Sequence, residues 1–368
     1  MKTEIEILRE LVKIPSVSSL SNVPVVNYAL QFLSGWEIER YPYTDAAGTA
    51  KLNVVAMSRR AREAELTFVC HTDTVPFEPE WADAVNPRVA QGKLYGRGSC
   101  DVKGFLACVL SAVSGDKLEL TKPLAIVLTA DEEIGCVGAK YLAKKKALRS
   151  RHTIVGEPTG LHPVRAGKGY ALAEIVVHGK EAHSAFPAHG RSAIFDAARV
   201  VTALERVAKK LAGRKNRDFD PPYTTLNAGL IRGGTAKNII AGECRITVEW
   251  RPVPGDDPAW AAELIREELK ALARRDPGFR AELDVKRLDP PFSPSATHEV
   301  CSLLESLAKR KASTVSFGTE APHLAGKETV VFGPGDMRVA HKSGEYVPVA
   351  DLQKCSGYLR AAIAHFCG

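Results

Sequence analysis

His71 and Asp73 close the run ELTFVC at residues 65–70. Alternate residues of an extended chain point the same way, so the two side chains share one side. A neutral imidazole nitrogen binds a divalent cation, and a nearby carboxylate can accept the other ring N–H and fix the tautomer. Other apolar runs end in similar groups. Residues 124–130 (LAIVLTA) lead into Asp131, Glu132 and Glu133. Residues 152–156 (HTIVG) lead into Glu157, and 329–335 (TVVFGPG) lead through a short loop to His341. Asp101 stands in YGRGSCDVKG, just before a helical stretch. Each has a plain structural account taken singly: a hydrogen-bonded histidine, a solvated acidic turn, a helix N-cap. Together, at strand ends on one edge of one sheet, they point to a ligand site, because open α/β sheets bind ligands beyond the carboxyl ends of their strands.

The chemistry that fits is hydrolysis by two metal ions. Catalytic zinc takes imidazole and carboxylate ligands and leaves a position for water, and a paired site needs a bridging carboxylate. Two divalent cations are balanced by three ligand carboxylates and one hydroxide. Asp101, Glu133 and Glu157 are the three carboxylates, with His71 and His341 neutral. That leaves Glu132 as the base for water, and Asp73 behind His71.

These groups require a scaffold. Up to about residue 167, short apolar runs alternate with helical stretches (101–115, 138–149), the pattern of an α/β domain with a largely parallel sheet. From about Tyr170 the texture becomes strand, helix, two strands, helix, strand (170–180, 191–213, 224–234, 243–253, 258–275, 280–288), an antiparallel sheet with two helices. After about residue 290, a helix (298–310), a strand and a last helix return to the first pattern. The expected architecture is a metal-dependent α/β catalytic domain, residues 1–169 and 286–368, with a central mixed, largely parallel sheet flanked by helices. An α+β, ferredoxin-like domain is inserted at 170–285.

The chain has 368 residues, 45% hydrophobic and 25% charged, as soluble globular proteins do. The net charge of +7 is scattered, and the densest basic run, 143–151, reads as a solvated helix end, so nucleic acid is not an expected partner. No run suggests a membrane span or a signal peptide. The eight cysteines form no CxxC pair, which fits reduced thiols in the cytoplasm. GRGSCD lacks the third glycine of a dinucleotide loop, and GKL and GKG are not GK[ST], so nucleotide binding is disfavoured.

Eight blocks in order, HTDTVPF, GKLYGRGSCDVKGF, KPLAIVLTADEE, IVGEPT, PVRAGKG, GGTAKNI, GTEAP and GPGDMRVAHKSGEY, cover most of the chain. They resemble the M20 metallopeptidase family, in its acetylornithine deacetylase / succinyl-diaminopimelate desuccinylase branch. The resemblance implies that His71 and Glu157 hold one metal, Glu133 and His341 the other, and Asp101 bridges them, with zinc or cobalt as the ions. It implies Asp73 orienting His71, Glu132 as base and then acid, and a cis peptide after Asp101. It implies that the inserted domain is a lid and dimerisation domain, with His183 and Asn238 acting across a homodimer. Arg251, Lys168, Gly318 and Thr319 match positions near the substrate. The implied substrate is a small N-acyl amino acid, N-acetyl-L-ornithine first, in arginine biosynthesis. Acetylcitrulline, acetyl-lysine or succinyl-diaminopimelate hydrolysis, carboxypeptidase or aminoacylase activity, and a catalytically silent amino-acid-binding relative are the alternatives. Ser343–Gly344 depart from the family, whose members more often carry Pro–Asp there.

Overall fold

The computed structural model describes residues 2–114, 119–295 and 297–368. The chain forms two compact units: Met1–Arg165 with Pro294–Ser313 and Thr319–Gly368, and Ala166–Ser293 with Thr314–Gly318.

In chain order the strands are β1 (Glu37–Thr44), β2 (Ala50–Met57), β3 (Ala64–His71), β4 (Arg88–Ala90), β5 (Lys93–Tyr95), β6 (Leu124–Thr129), β7 (Ser150–Gly156), β8 (Val164–Gly167), β9 (Tyr170–His178), β10 (Thr225–Gly233), β11 (Glu243–Arg251), β12 (Arg280–Asp289), β13 (Ser313–Val315), β14 (Glu328–Phe332) and β15 (Tyr346–Pro348). The helices are α1 (Glu4–Lys13), α2 (Val23–Leu30), α3 (Lys103–Val113), α4 (Val137–Lys145), α5 (Ala193–Leu211), α6 (Trp260–Arg275), α7 (Glu299–Ala308) and α8 (Val349–Cys367).

The main sheet has eight strands in the order β1-β2-β6-β3-β7-β14-β8-β13. Its centre is parallel: β6 with β3, β3 with β7, and β7 with β14. The β1, β2 and β8 pairings are antiparallel. The central strands read as continuous apolar runs because both faces are covered by helices; all six residues of β6 are buried. The core of this unit gathers α1, α3, α8 and the central strands around residues such as Leu11, Phe68, Phe105, Leu359 and Phe366. The α1 helix starts with a capping box, in which Thr3 and Glu6 satisfy each other's backbone N–H. The expected helix over 101–115 begins at Lys103, and residue 115 lies outside the described residues.

The second unit is a four-stranded antiparallel sheet, β10-β11-β9-β12, with α5 and α6 packed on it. Ile175, Val177, Ile246, Val248 and Trp250 face Ala197, Val200, Leu204 and Ile265 in its core. Strand β9 alternates buried and half-buried positions along its length, as a sheet with one covered face should. The edge strand β10 exposes Leu230 and Ile231. Among the described residues no helix is long and apolar enough to cross a membrane.

Candidate metal centre

Three parallel strands deliver the site from their carboxyl ends. His71 is the last residue of β3, Glu157 follows β7, and β6 runs into the turn that carries Asp131, Glu132 and Glu133. Two glycines make close approaches possible. A Cβ on Gly156 would stand 2.1 Å from the Phe105 ring, and one on Gly138 would stand 2.3 Å from Asn53 Oδ1 and 2.4 Å from the Ala130 carbonyl. The bare backbone at these points lets β7 lie against α3 and lets α4 start directly behind the acidic turn. Asp101 precedes α3, and the Asp101–Val102 peptide is cis. His341 lies in the loop before β15 with φ of 59°.

Asp101 is the hub. Its Oδ1 is 3.1 Å from His71 Nε2, and its Oδ2 is 3.1 Å from His341 Nε2. His341 Nε2 is also 3.1 Å from Glu133 Oε2. Two ligand-type groups result: His71, Asp101 and Glu157, and Asp101, Glu133 and His341, each with its donor atoms within 4.8 Å of one another. Asp101 belongs to both. Glu133 Oε1 is buried and has no hydrogen-bond partner among the described residues. Imidazole nitrogens, clustered carboxylates and an orphaned buried oxygen are the donor set of hard-to-borderline divalent cations.

The electrostatics match. Burial pushes the Glu132 carboxyl up to about 8; His71 opposes this, and Glu133, Glu320 and Asp73 add to it. Burial also raises Glu157 and Glu133, with Asp101's charge reinforcing both. His341 rises to about 10 through its hydrogen bonds to Asp101 and Glu133. His71 is raised too: burial pulls it down, but the Asp101 contact outweighs that. Asp101 itself is held low, since the two histidines overcome its burial. Without cations, protons take the cationic role, and metal binding must displace them.

Asp73 is placed differently from the expectation. The His71 Nδ1 partner at 3.1 Å is the backbone carbonyl of Asp73, whereas its carboxylate is 3.7 Å away. That carboxylate accepts the backbone N–H of Glu132 at 3.0 Å and of Glu133 at 3.2 Å, and the Ser18 hydroxyl at 2.7 Å. It holds the acidic turn while its backbone holds the imidazole. The Cys136 thiol donates to Glu132 Oε1 at 3.3 Å.

Sequence reasoning missed a second brace. Glu345, 1% exposed, accepts the backbone N–H groups of Cys100 at 2.9 Å and Asp101 at 3.1 Å, and pairs with Arg97 at 2.5 Å. It ties the Asp101 loop to the loop of His341. Gly344 takes φ of 83° just before it, and Ser343 Oγ donates to Glu78. The Ser343–Gly344 departure therefore leaves Glu345 on Asp101. A carboxylate four residues after a histidine was the available signal. Glu320 was also missed: it is buried, accepts from Thr129 Oγ1 at 2.8 Å, and is pushed up to about 7 by burial.

The remaining expected residues belong to the second unit, except Thr319. His183 and Asn238 are exposed and adjacent, joined by the bond from Ser184 N–H to the Asn238 carbonyl at 3.0 Å. Arg251 stacks on the Tyr170 ring at 4.2 Å. Lys168 is buried and gives two donors to the carbonyls of Pro221 and Tyr223, each at 2.8 Å. Gly318 is half-buried. Thr319 Oγ1 accepts the Ala321 N–H at 3.1 Å.

The model for peptidase family M20/M25/M40 matches residues 67–365. The chain is 48% identical to an acetylornithine deacetylase of Myxococcus xanthus, covering 98% of this chain and 97% of that protein. It is 35% identical to the acetylornithine deacetylase of Proteus mirabilis, covering 100% and 97%. Among solved structures, a tripeptidase from Staphylococcus aureus superposes with a TM-score of 0.78 at 22% identity, covering 99% of this chain and 97% of that one. An M20 metallo-carboxypeptidase from Sulfolobus solfataricus does so with 0.77 at 20%, covering 98% of each. The structural matches carry the fold, and the sequence matches carry the membership: this chain belongs to the M20 peptidase family, in its acetylornithine deacetylase group.

Proposed function

We propose that this metal-dependent amide hydrolase removes the acetyl group from N-acetyl-L-ornithine, giving L-ornithine and acetate for arginine biosynthesis. The observation that carries the reading is Asp101, whose two oxygens face His71 and His341, the histidines of two overlapping donor sets. The full-length likeness to acetylornithine deacetylases supports the substrate.

His71 and Glu157 would hold one divalent ion and Glu133 and His341 a second, with Asp101 offering an oxygen to each; zinc or cobalt would suit these donors. Bound there, such ions would supply Lewis-acid polarisation of the acyl carbonyl and a lowered pKa of water, toward ~7. Glu132 takes the water proton at its carboxylate, with Cys136 steadying Oε1, and later returns it to the departing amine nitrogen. A carboxyl whose protonated form is favoured by burial is suited to that return. Asp73 and Glu345 keep the Glu132–Glu133 turn and Asp101 in register.

Residues 170–285 serve as lid and dimerisation domain, and the exposed apolar edge of β10 supports pairing with a second copy. His183 of the partner subunit then stabilises the tetrahedral oxyanion, and Asn238 of the partner subunit contacts substrate. Arg251, Lys168, Gly318 and Thr319 border the substrate. Eight free, buried cysteines support a cytoplasmic setting.

The test is amine release from N-acetyl-L-ornithine, N-acetyl-L-citrulline and N-succinyl-diaminopimelate side by side, with zinc or cobalt and with a chelator. Chelator-sensitive release fastest from acetylornithine is expected. Preference for another substrate moves the chain to a sister activity, and release unaffected by chelation removes the metal assignment.

A further inference from the structure

Lys51, on β2, is 1% exposed, and its ammonium spends all three donors inside the protein. It donates to the carbonyls of Ser18 at 2.5 Å and Leu20 at 2.8 Å, and to Asp131 Oδ1 at 2.8 Å. Asp45, partly exposed, lies further off at 3.8 Å. Asp131 is also 1% exposed, and its Oδ2 accepts the Tyr43 hydroxyl at 2.7 Å. A buried ion pair is poor evidence of net stability, because desolvating both charges offsets most of their attraction. What it supplies is a fixed geometry.

That geometry converges on the acidic turn. Asp131 immediately precedes Glu132 and takes φ of 58°, a left-handed backbone that a non-glycine residue adopts only where its surroundings hold it there. Both oxygens of its side chain are held, one by Lys51 and one by Tyr43. A second route runs through Ser18. Its carbonyl accepts from Lys51, and its hydroxyl donates to the Asp73 carboxylate, which in turn holds the N–H groups of Glu132 and Glu133. One ammonium thus reaches the turn by two routes, directly through Asp131 and indirectly through Ser18 and Asp73.

We propose that Lys51 is a positioning residue for turnover, setting the Asp131–Glu133 turn so that the Glu132 carboxylate faces its proton donor. The inference rests on the reading of Glu132 as the base. The competing account is that Lys51 only anchors the segment around Ser18 and Leu20 to β2 and stabilises the fold.

The experiment is a cycle of Lys51→Met, Glu132→Gln and the double variant in the zinc-loaded full-length protein, assayed well below each variant's Tm. Lys51→Met is expected to lower kcat about 10- to 100-fold with KM within about threefold, the size of loss that misplacing a reacting group by about an ångström produces. In the Glu132→Gln background it is expected to cost less than about twofold more, because the group it positions is already gone. Losses that multiply, or a lower Tm with unchanged kcat per folded enzyme, overturn the proposal. Should Lys51→Met fail to fold, Tyr43→Phe reports on the same brace from a half-buried position. A kcat loss of about 2- to 10-fold is expected from one lost hydrogen bond to the Asp131 carboxylate, and unchanged kcat overturns the proposal. A Glu132→Gln variant with full kcat instead removes the base reading on its own, independently of the Lys51 result.

Discussion

The Asp73 carboxylate accepts the backbone N–H of Glu132 at 3.0 Å, while its own backbone carbonyl takes His71 Nδ1 at 3.1 Å. One residue therefore sets a histidine with its main chain and the acidic turn with its side chain. In Asp73→Asn, one side-chain oxygen becomes an NH₂ facing N–H donors. The stranded donors are expected to cost about 1–3 kcal/mol of stability. We expect kcat to fall more than zinc affinity, because the His71 contact is retained. Zinc titration beside steady-state kinetics reads the two apart; a loss confined to zinc affinity would mean that the carboxylate serves His71 after all.

Of the turn's three acids, Asp131 and Glu132 lie outside both donor sets, and the Asp131 carboxylate is taken up by Lys51 and Tyr43. Glu132→Gln is expected to bind zinc as the parent does and lose about 10²- to 10⁴-fold in kcat, the usual contribution of a proton-transfer group. Metal content by elemental analysis with kcat decides this. A variant that loses its metal would place Glu132 among the ligands.

Asp101 belongs to both donor sets, whereas His341 belongs to one. Asp101→Asn is expected to weaken every bound zinc, and His341→Ala to weaken one and spare the other. Calorimetric zinc titration distinguishes them by stoichiometry. Equal effects of the two substitutions would argue against a bridging role.

Gly156 lets β7 pass Phe105 directly before Glu157. Gly156→Ala puts a methyl 2.1 Å from the ring. Overpacking of this kind typically costs about 1–3 kcal/mol, and here it pushes on the segment that carries Glu157. A lower Tm together with weaker zinc binding is expected. Gly156→Ala with Phe105→Leu should recover part of both, and no recovery would count against this contact as the cause.

The metal-free protein should lose stability as pH rises. Glu132 sits at about 8 and Glu320 at about 7, and Glu133 and Glu157 are raised, whereas unfolded glutamates titrate near ~4.3. Between those values the folded state holds more protons than the unfolded one, so stability falls with increasing pH. His341, at about 10, extends the same slope above the unfolded histidine value of ~6.5. Asp101, held low, acts with the opposite sign and only below ~4. Chelated protein is expected to show a Tm that declines from pH 5 to 9. Zinc-loaded protein should resist this, because its ligands are already deprotonated. A chelated Tm that climbs across that range would contradict the assignment.

Much of this was legible in the sequence, for physical reasons. Buried parallel strands need both faces apolar, so 65–70, 124–130 and 152–156 announce themselves, and the residues that break those runs with acid or histidine stand at the strand ends. The switch to alternating patterns near Tyr170 marks a sheet with one covered face. Only the tertiary structure decided the partners. Lys51 lies on β2 yet grips Asp131, 80 residues away, and Glu345 grips Asp101, 244 residues away. In sequence such residues look like ordinary surface charges. What makes them internal is the crossing of strands that brings distant backbone amides and carboxylates within hydrogen-bond reach, and periodicity carries no record of that. The same holds for Asp73: spacing put it beside His71, but which of its groups faces the ring was decided by the turn after β6, whose N–H groups claim the carboxylate.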